Sequence, residues 1–142
     1  MEAVASDNPH KDMVQVVICL GSNFGDRHSA LTSALVSIKK IVHGLRVSGL
    51  YETPAVANAG LHSTESDPYI NAVAVGESEL DVRELDAIFK RIEQSAGRND
   101  RCRELGLVPL DIDIVCYGGD VRRPRDYRQP FFQIGYKMLG FS

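Results

Sequence analysis

The order of strands and helices that the sequence predicts indicates an α+β fold of the ferredoxin-like type, βαββαβ, in which an antiparallel sheet carries its helices on one face. Four short runs rich in β-branched and apolar residues are typical of buried strands. Two longer segments repeat their apolar residues at helical spacing, one after the first strand and one after the third. Helices on one face leave the opposite face of the sheet free for a functional site.

The first part of the chain predicts a strand, a helix and a second strand. Met13 to Leu20 is a buried strand by composition, and Asp26 precedes a helix that Gly44 stops. The apolar stripe of this helix consists of Leu31, Ala34, Leu35, Ile38, Ile41 and Val42. Leu45 to Thr53 alternates loosely and ends before Pro54, which disfavours helix in the preceding residue, so it predicts the second strand.

The middle of the chain combines a polar segment with the third strand. Ala55 to Pro68 is rich in Asn, Gly, Ser, Thr and Asp, and segments of this length are usually lids, binding loops or locally disordered. Tyr69 to Val75 then predicts the third strand.

The second helix and the fourth strand follow. Asp81 with Glu84 has the spacing of a capping box, and Gly97 ends the helix. A polar loop from Arg98 to Gly106 leads into the fourth strand, Leu110 to Tyr117. The tail after Pro124 shows no clear period, so the sequence assigns it no element.

Length and composition predict one globular domain over 13–142, preceded by a disordered N-terminal extension over 1–12. The chain has 142 residues, of which 44% are hydrophobic and 25% charged, which excludes a disordered chain and a coiled coil. Its net charge is −3, which argues against a general nucleic-acid partner because phosphate binding needs excess cations.

The cysteines and the polar N-terminus predict a cytoplasmic protein without a membrane anchor. Cys19, Cys102 and Cys116 are odd in number and form no C-x-x-C pair, which favours a reducing compartment. No apolar stretch approaches the length of a membrane span. The sequence leaves the oligomeric state open.

Two carboxylates on one predicted strand are the strongest chemical signal. Asp111 and Asp113 are two residues apart and therefore point to the same face, while the apolar residues between and beside them point to the other. Adjacent carboxylates repel each other, and Mg²⁺ between them and substrate phosphates would remove that penalty. The alternative is a polar strand face exposed to water. Seven arginines between Arg98 and Arg128 also favour a polyphosphate ligand.

Five motifs in order resemble one enzyme family. They are Leu20-Gly21-Ser22-Asn23, Tyr51-Glu52-Thr53-Pro54, Tyr69-Ile70-Asn71-Ala72-Val73, Ile92-Glu93 with Gly97-Arg98, and Leu110-Asp111-Ile112-Asp113. Together they resemble the 6-hydroxymethyl-7,8-dihydropterin pyrophosphokinases of folate biosynthesis. That resemblance implies transfer of pyrophosphate from ATP to the hydroxymethyl group of a reduced pterin, with AMP as the second product.

The resemblance also implies site residues. Asp111 and Asp113 resemble carboxylates that bind two Mg²⁺ ions, and Arg98 resembles a catalytic-loop arginine that reaches the triphosphate of ATP. The implied pterin-binding residues are Gly21, Asn23, Thr53, Pro54, Tyr69 and Asn71. The aromatic residue that stacks on the pterin is Phe131 or Phe132, and of these two Phe132 is assigned to the site. The implied nucleotide-binding residues are Glu93, Ile112, Arg125 and Arg128.

Two positions depart from the family pattern. Val108 stands where the family has a second loop arginine, and Arg125 stands where it has a histidine. Arg101 or Arg103 are alternative sources of the missing charge. The sequence therefore predicts a pyrophosphokinase, slow if these departures are not compensated. The alternatives are a catalytically impaired relative that binds pterin or nucleotide as a sensor or partner, and an unrelated ferredoxin-like module.

Overall fold

The computed structural model of the protein describes residues 13–54 and 68–142. The predictions for residues 1–12 and for most of the segment Ala55 to Pro68 lie outside these residues. The strands are β1 (Val14–Ser22), β2 (His43–Val47), β3 (Tyr51–Thr53), β4 (Tyr69–Ser78), β5 (Asp111–Tyr117) and β6 (Asp120–Val121). The helices are α1 (Arg27–Ile38), α2 (Val82–Ser95), α3 (Asp100–Leu105), α4 (Pro124–Tyr127) and α5 (Pro130–Met138). No helix among the described residues has the length and apolarity needed to cross a membrane.

The strands form one antiparallel sheet in the order β2-β4-β1-β5-β6, and β3 also pairs with β4. This arrangement confirms the predicted α+β, ferredoxin-like class. The predicted second strand, Leu45 to Thr53, is divided into β2 and β3. At the break Ser48 keeps the chain attached to β4, because its backbone N–H donates to the Val73 carbonyl (2.8 Å) and its hydroxyl accepts from the Val73 N–H (2.9 Å).

One face of the sheet packs against α1 and α2, as the apolar stripes predict. Strand residues on this face are buried, among them Ile18, Leu20, Ala72, Ala74, Ile112 and Ile114. The capping box of α2 is present, with the Glu84 N–H donating to Asp81 (2.8 Å) and the Asp81 N–H donating to Glu84 (2.9 Å). The first helix ends at Ile38, earlier than its apolar stripe indicates, and Val42 is buried beyond its end.

The second face of the sheet carries α5, which the sequence did not predict. Phe132 is fully buried there against Val17, Val73 and other strand residues. Gly135 lets this helix approach the sheet closely, since a Cβ at that position would lie 2.7 Å from the Tyr51 hydroxyl and from Val73 Cγ2. The expectation that the second face is free is therefore corrected: part of it is covered by α5.

The segment from Arg98 to Gly106, predicted as a loop, contains the short helix α3. Asn99 caps it by accepting from the Cys102 N–H (2.9 Å), and Gly106 ends it in the left-handed conformation at φ 72°. None of its residues is buried, so the helix has no apolar stripe by which the sequence could reveal it.

Candidate active site

Side chains from four neighbouring strands meet in one row across the second face of the sheet. Asn71 on β4 pairs with both Tyr51 on β3 and Gly21 on β1, and Gly21 pairs in turn with Asp111 on β5. Directly paired residues point to the same face of a sheet. The register therefore brings motifs that are far apart in the sequence into one line.

A cavity of about 460 Å³ lies over this row, beside the part of the face that α5 covers. Most of the predicted pterin-binding set lines it, namely Gly21, Thr53, Pro54, Tyr69 and Asn71. Both predicted metal carboxylates, Asp111 and Asp113, line the same cavity. The sequence-predicted substrate pocket and metal pair are thus parts of one concave site.

Asn71 is buried at the floor of the cavity and held by its neighbours. Its side-chain Nδ2 donates to Thr53 Oγ1 (2.7 Å) and to the Tyr51 carbonyl (3.3 Å). Gly21 beside it leaves the floor open, because a Cβ there would lie 3.3 Å from the Tyr69 ring and 3.4 Å from Asn71 Oδ1. The arrangement presents a fixed carboxamide next to an aromatic ring, which suits a flat heterocycle with polar edges.

Of the two candidate stacking aromatics, Phe131 lines the cavity and Phe132 does not. Phe132 is fully buried in the second core, where its ring stacks on Tyr136 with centroids 4.8 Å apart. The assignment of Phe132 as a substrate contact is therefore corrected, because its side chain points into the protein. Phe131 is fixed by the Tyr51 hydroxyl, which donates to its carbonyl (2.5 Å).

The two carboxylates differ in their surroundings. The side chain of Asp113 is 25% exposed, and burial together with the neighbouring Asp111 raises its pKa to about 8. Asp111 accepts from Arg98 Nη1 (2.7 Å). Arg98 also lies 3.4 Å from Glu93, whose carboxylate accepts from the backbone N–H of Ile112 (2.8 Å). Glu93 and Arg98 thus hold the start of β5 and one of its carboxylates in place.

The carboxylate pair suits a hard divalent cation. Two oxygen-bearing side chains point into one cavity, and burial together with the repulsion from Asp111 raises the pKa of Asp113, a penalty that a bound cation would relieve. The part of the chain that the structure describes holds no cluster of three or more His, Cys, Asp or Glu around a possible metal position. A cation here would therefore complete its coordination with substrate oxygens and water, as Mg²⁺ commonly does.

Asn23 does not line the cavity, and its assignment as a pterin contact stays a prediction. Its side-chain Oδ1 accepts from the Val108 N–H (2.6 Å), and its own N–H donates to the Val108 carbonyl (2.9 Å). A weaker bond joins its Nδ2 to the Gly106 carbonyl (3.4 Å). Asn23 thus fastens the segment before β5 to the end of β1.

The predicted nucleotide-binding residues are dispersed. Arg125 lines the cavity, whereas Arg128 is exposed and does not, so the assignment of Arg128 is not supported by its position. Ile112 directs its side chain into the first core, which leaves only its backbone near the site. Glu93 lies behind β5, bonded to that backbone.

Sequence reasoning missed several residues that line the cavity, among them the polar residues Arg122, Arg123, Asp126 and Gln129. Arg122 and Arg123 directly precede the tail and Asp126 and Gln129 lie within it, and the only sequence signal in this region is the local excess of arginine. Arg123 Nε lies 2.5 Å from Asp126 Oδ2, and its Nη1 lies 3.8 Å from Asp113 Oδ1.

Comparisons with known proteins agree with the motif resemblance. A folate synthesis bifunctional protein of Chlamydia trachomatis is 37% identical over 106 residues, which are 74% of this chain and 23% of that protein. Its mitochondrial counterpart in Pisum sativum is 39% identical over 105 residues, 73% of this chain and 19% of that protein. The chain thus spans less than a quarter of the length of these two relatives.

A 2-amino-4-hydroxy-6-hydroxymethyldihydropteridine pyrophosphokinase of Porphyromonas gingivalis is 35% identical over 109 residues, 74% of this chain and 70% of that protein. A crystal structure of a Plasmodium falciparum HPPK-DHPS variant with pteroate covers 82% of this chain and 28% of its own, with a TM-score of 0.48 and 13% identity. The sequence model of one family matches residues 17–137. Because that match covers most of the protein, the chain belongs to the 7,8-dihydro-6-hydroxymethylpterin-pyrophosphokinase family of enzymes.

Proposed function

We propose that this protein transfers pyrophosphate from ATP to the hydroxymethyl group of 6-hydroxymethyl-7,8-dihydropterin, a step of folate biosynthesis, with the help of two Mg²⁺ ions. One observation carries the proposal: the row Asn71-Gly21-Asp111 places a polar floor for a heterocycle directly beside the carboxylate pair, in one cavity. A pterin on that floor would have its hydroxymethyl arm near the cation site.

The pterin end of the cavity supplies aromatic faces and fixed polar groups. Tyr69 and Phe131 provide faces on which a fused ring can stack. Asn71 offers both a donor and an acceptor, and its bond to Thr53 fixes the orientation of the carboxamide before substrate arrives. Fixing these groups in advance lowers the entropic cost of binding.

The chemistry is an in-line displacement at phosphorus. The hydroxymethyl oxygen of the pterin forms a bond to the β-phosphorus of ATP, the bond from that phosphorus to the oxygen of AMP breaks, and the hydroxyl proton passes to solvent. Asp111 and Asp113 are the residues that would hold Mg²⁺, which supplies charge neutralisation on the phosphates when bound. The remaining task of the protein is to position both substrates, because phosphoryl-type transfer needs little covalent assistance.

Arg98 is proposed to contact the triphosphate after it releases Asp111. In the structure its guanidinium lies 2.7 Å from Asp111 and 3.4 Å from Glu93, so it occupies the neighbourhood that a cation on Asp111 would share. With a cation bound at Asp111, Arg98 would be released from this carboxylate and would be free to turn toward the phosphates. Glu93 remains as a second partner that keeps Arg98 at the edge of the site.

A second candidate function is a relative that binds substrates without efficient turnover. The observation that favours it is Val108, which stands in place of a phosphate-binding arginine and whose backbone is fastened to Asn23. Loss of one such arginine typically slows a reaction by about 10² or more.

The test is a turnover assay with purified protein, ATP, Mg²⁺ and 6-hydroxymethyl-7,8-dihydropterin, followed by chromatography of AMP and the pterin diphosphate. We expect both products in equal amounts, abolished in Asp111→Ala and preserved in the control Asp86→Ala, whose carboxylate is exposed on α2. If no AMP forms at protein concentrations where calorimetry still detects pterin binding, the enzyme proposal is rejected in favour of the binding relative. If neither product nor binding is found, both candidate functions are rejected.

A further inference from the structure

Arg101 and Arg103, the two alternative sources of the charge missing at Val108, do not line the cavity. Both residues lie on α3 and are exposed. The segment that Val108 occupies is fixed to Asn23: the Val108 N–H donates to the Asn23 side-chain Oδ1 (2.6 Å), and its carbonyl accepts from the Asn23 N–H (2.9 Å). A replacement cation must therefore come from another side of the cavity.

Three arginines line the opposite wall, namely Arg122, Arg123 and Arg125. The backbone that carries them is held in place: the Arg122 N–H donates to the Val115 carbonyl (2.7 Å), and the Tyr127 N–H donates to the Arg123 carbonyl (2.9 Å). Their side chains thus start from fixed points beside β5, the strand that bears the carboxylate pair.

Arg123 is distinguished among the three by its side-chain contacts. Its Nε is engaged by Asp126 at 2.5 Å, whereas its Nη1 approaches Asp113 only to 3.8 Å. That distance is longer than a hydrogen bond, so the outer edge of the guanidinium keeps donors for another acceptor. The side chain is 49% exposed, which leaves this edge accessible from the cavity.

We propose that Arg123 binds the triphosphate of ATP and takes the place of the arginine absent at Val108, with Asp126 as its positioning residue. This inference rests on the proposed function. Arg123 lies beside Asp113, with Nη1 3.8 Å from Oδ1, so phosphate oxygens bound to a cation on that carboxylate would lie within its reach. Arginine suits this position because its planar edge forms two parallel bonds to a phosphate.

The test measures binding of the non-transferable analogue α,β-methylene-ATP with Mg²⁺ by calorimetry, next to binding of AMP. Arg123→Gln should weaken the analogue about 10- to 100-fold, the range for charge-assisted hydrogen bonds, and leave AMP within about twofold. The affinity of Arg123→Lys for the analogue should lie between those of the wild type and Arg123→Gln, because lysine keeps the charge and loses the paired donors. Asp126→Asn should raise the KM for ATP more than it lowers kcat.

The control is Arg83→Gln, an exposed arginine on α2 outside the cavity, which should match the wild type in both ligands. Circular dichroism of each variant separates loss of fold from loss of binding. If Arg123→Gln binds the analogue as tightly as the wild type, or loses AMP to the same degree, the inference is overturned while the pyrophosphokinase activity of the wild type still stands. If the wild type itself neither binds the analogue nor forms AMP, the proposed function fails, and the inference fails with it.

Discussion

Replacing Asp113 by Asn should stabilise the metal-free protein above neutral pH. Burial and the adjacent Asp111 raise the pKa of Asp113 to about 8, so the folded state resists its ionisation while the unfolded chain ionises it near pH 4. Between these two pH values the unfolded chain has released this proton while the folded protein still binds it. The free energy of unfolding therefore falls as the pH rises through this range. The amide carries no charge and escapes that penalty.

The size of the effect follows from the surroundings of Asp113. Each unit of pKa difference is worth about 1.4 kcal/mol, so a rise from about 4 to about 8 sets an upper limit near 6 kcal/mol. The side chain remains 25% exposed, and Arg123 lies 3.8 Å away, so water and a cation reduce the penalty. We expect about 2 kcal/mol, or roughly 6–8 °C in Tm for a chain of this size.

The assay is thermal unfolding in EDTA at about pH 4 and about pH 8.5, with Asp86→Asn as a matched exposed control. The Tm of Asp113→Asn should exceed that of the wild type at the higher pH and coincide with it at the lower. Added Mg²⁺ should raise the Tm of the wild type and have much less effect on the variant, because one carboxylate ligand is gone. A variant that is less stable than the wild type at pH 8.5 without metal would refute the reasoning.

Three further predictions concern the walls of the site. Gly135→Ala should lower the free energy of unfolding in urea by about 2–3 kcal/mol, because its Cβ would lie 2.7 Å from Tyr51 and Val73. The control Gly49→Ala, whose Cβ would have no contact nearer than 3.9 Å, should lower it far less. Equal losses in the two variants would contradict the close packing of α5. Phe131→Ala should weaken pterin binding in calorimetry and change the free energy of unfolding little. Phe132→Ala should lower the free energy of unfolding by about 3–5 kcal/mol, because Phe132 is fully buried. The reverse pattern would restore Phe132 to the site. Arg98→Ala should lower kcat about 100-fold with an unchanged pterin Kd, and an unchanged kcat would remove it from the site.

The sheet and the carboxylate pair were predictable because their signals are local. Alternation along β5 puts Asp111 and Asp113 on one face and Ile112 and Ile114 on the other, and the register with β1 then fixes what lies beside them. The N-terminus of α2 was predictable for the same reason, since its capping box lies within four residues.

The tail was not predictable because few residues of α5 are buried and one of them, Gly135, has no side chain. Only Phe132 and Gly135 are buried on this helix, so no apolar stripe marks the packed face, while Ile134 and Met138 are exposed. A glycine that enables close packing has the same sequence signal as one that ends a helix. The choice between Phe131 and Phe132 depended on this helix and could be made only from the fold.

The placement of α5 divides the cavity between two parts of the molecule that differ in local stability. Asn71 and the carboxylates belong to central strands paired on both sides, whereas Phe131 and Arg123 belong to the segment around α4 and α5, which packs on one face of the sheet and pairs with no strand. Such segments undock more readily than the strands beneath them, and undocking would leave the sheet intact and remove one wall of the site. The apparent affinity for substrate is then proportional to the fraction of molecules in which α5 is docked on the sheet. A bound substrate, although it contacts only Phe131 at the start of α5, should slow amide hydrogen exchange along the whole helix.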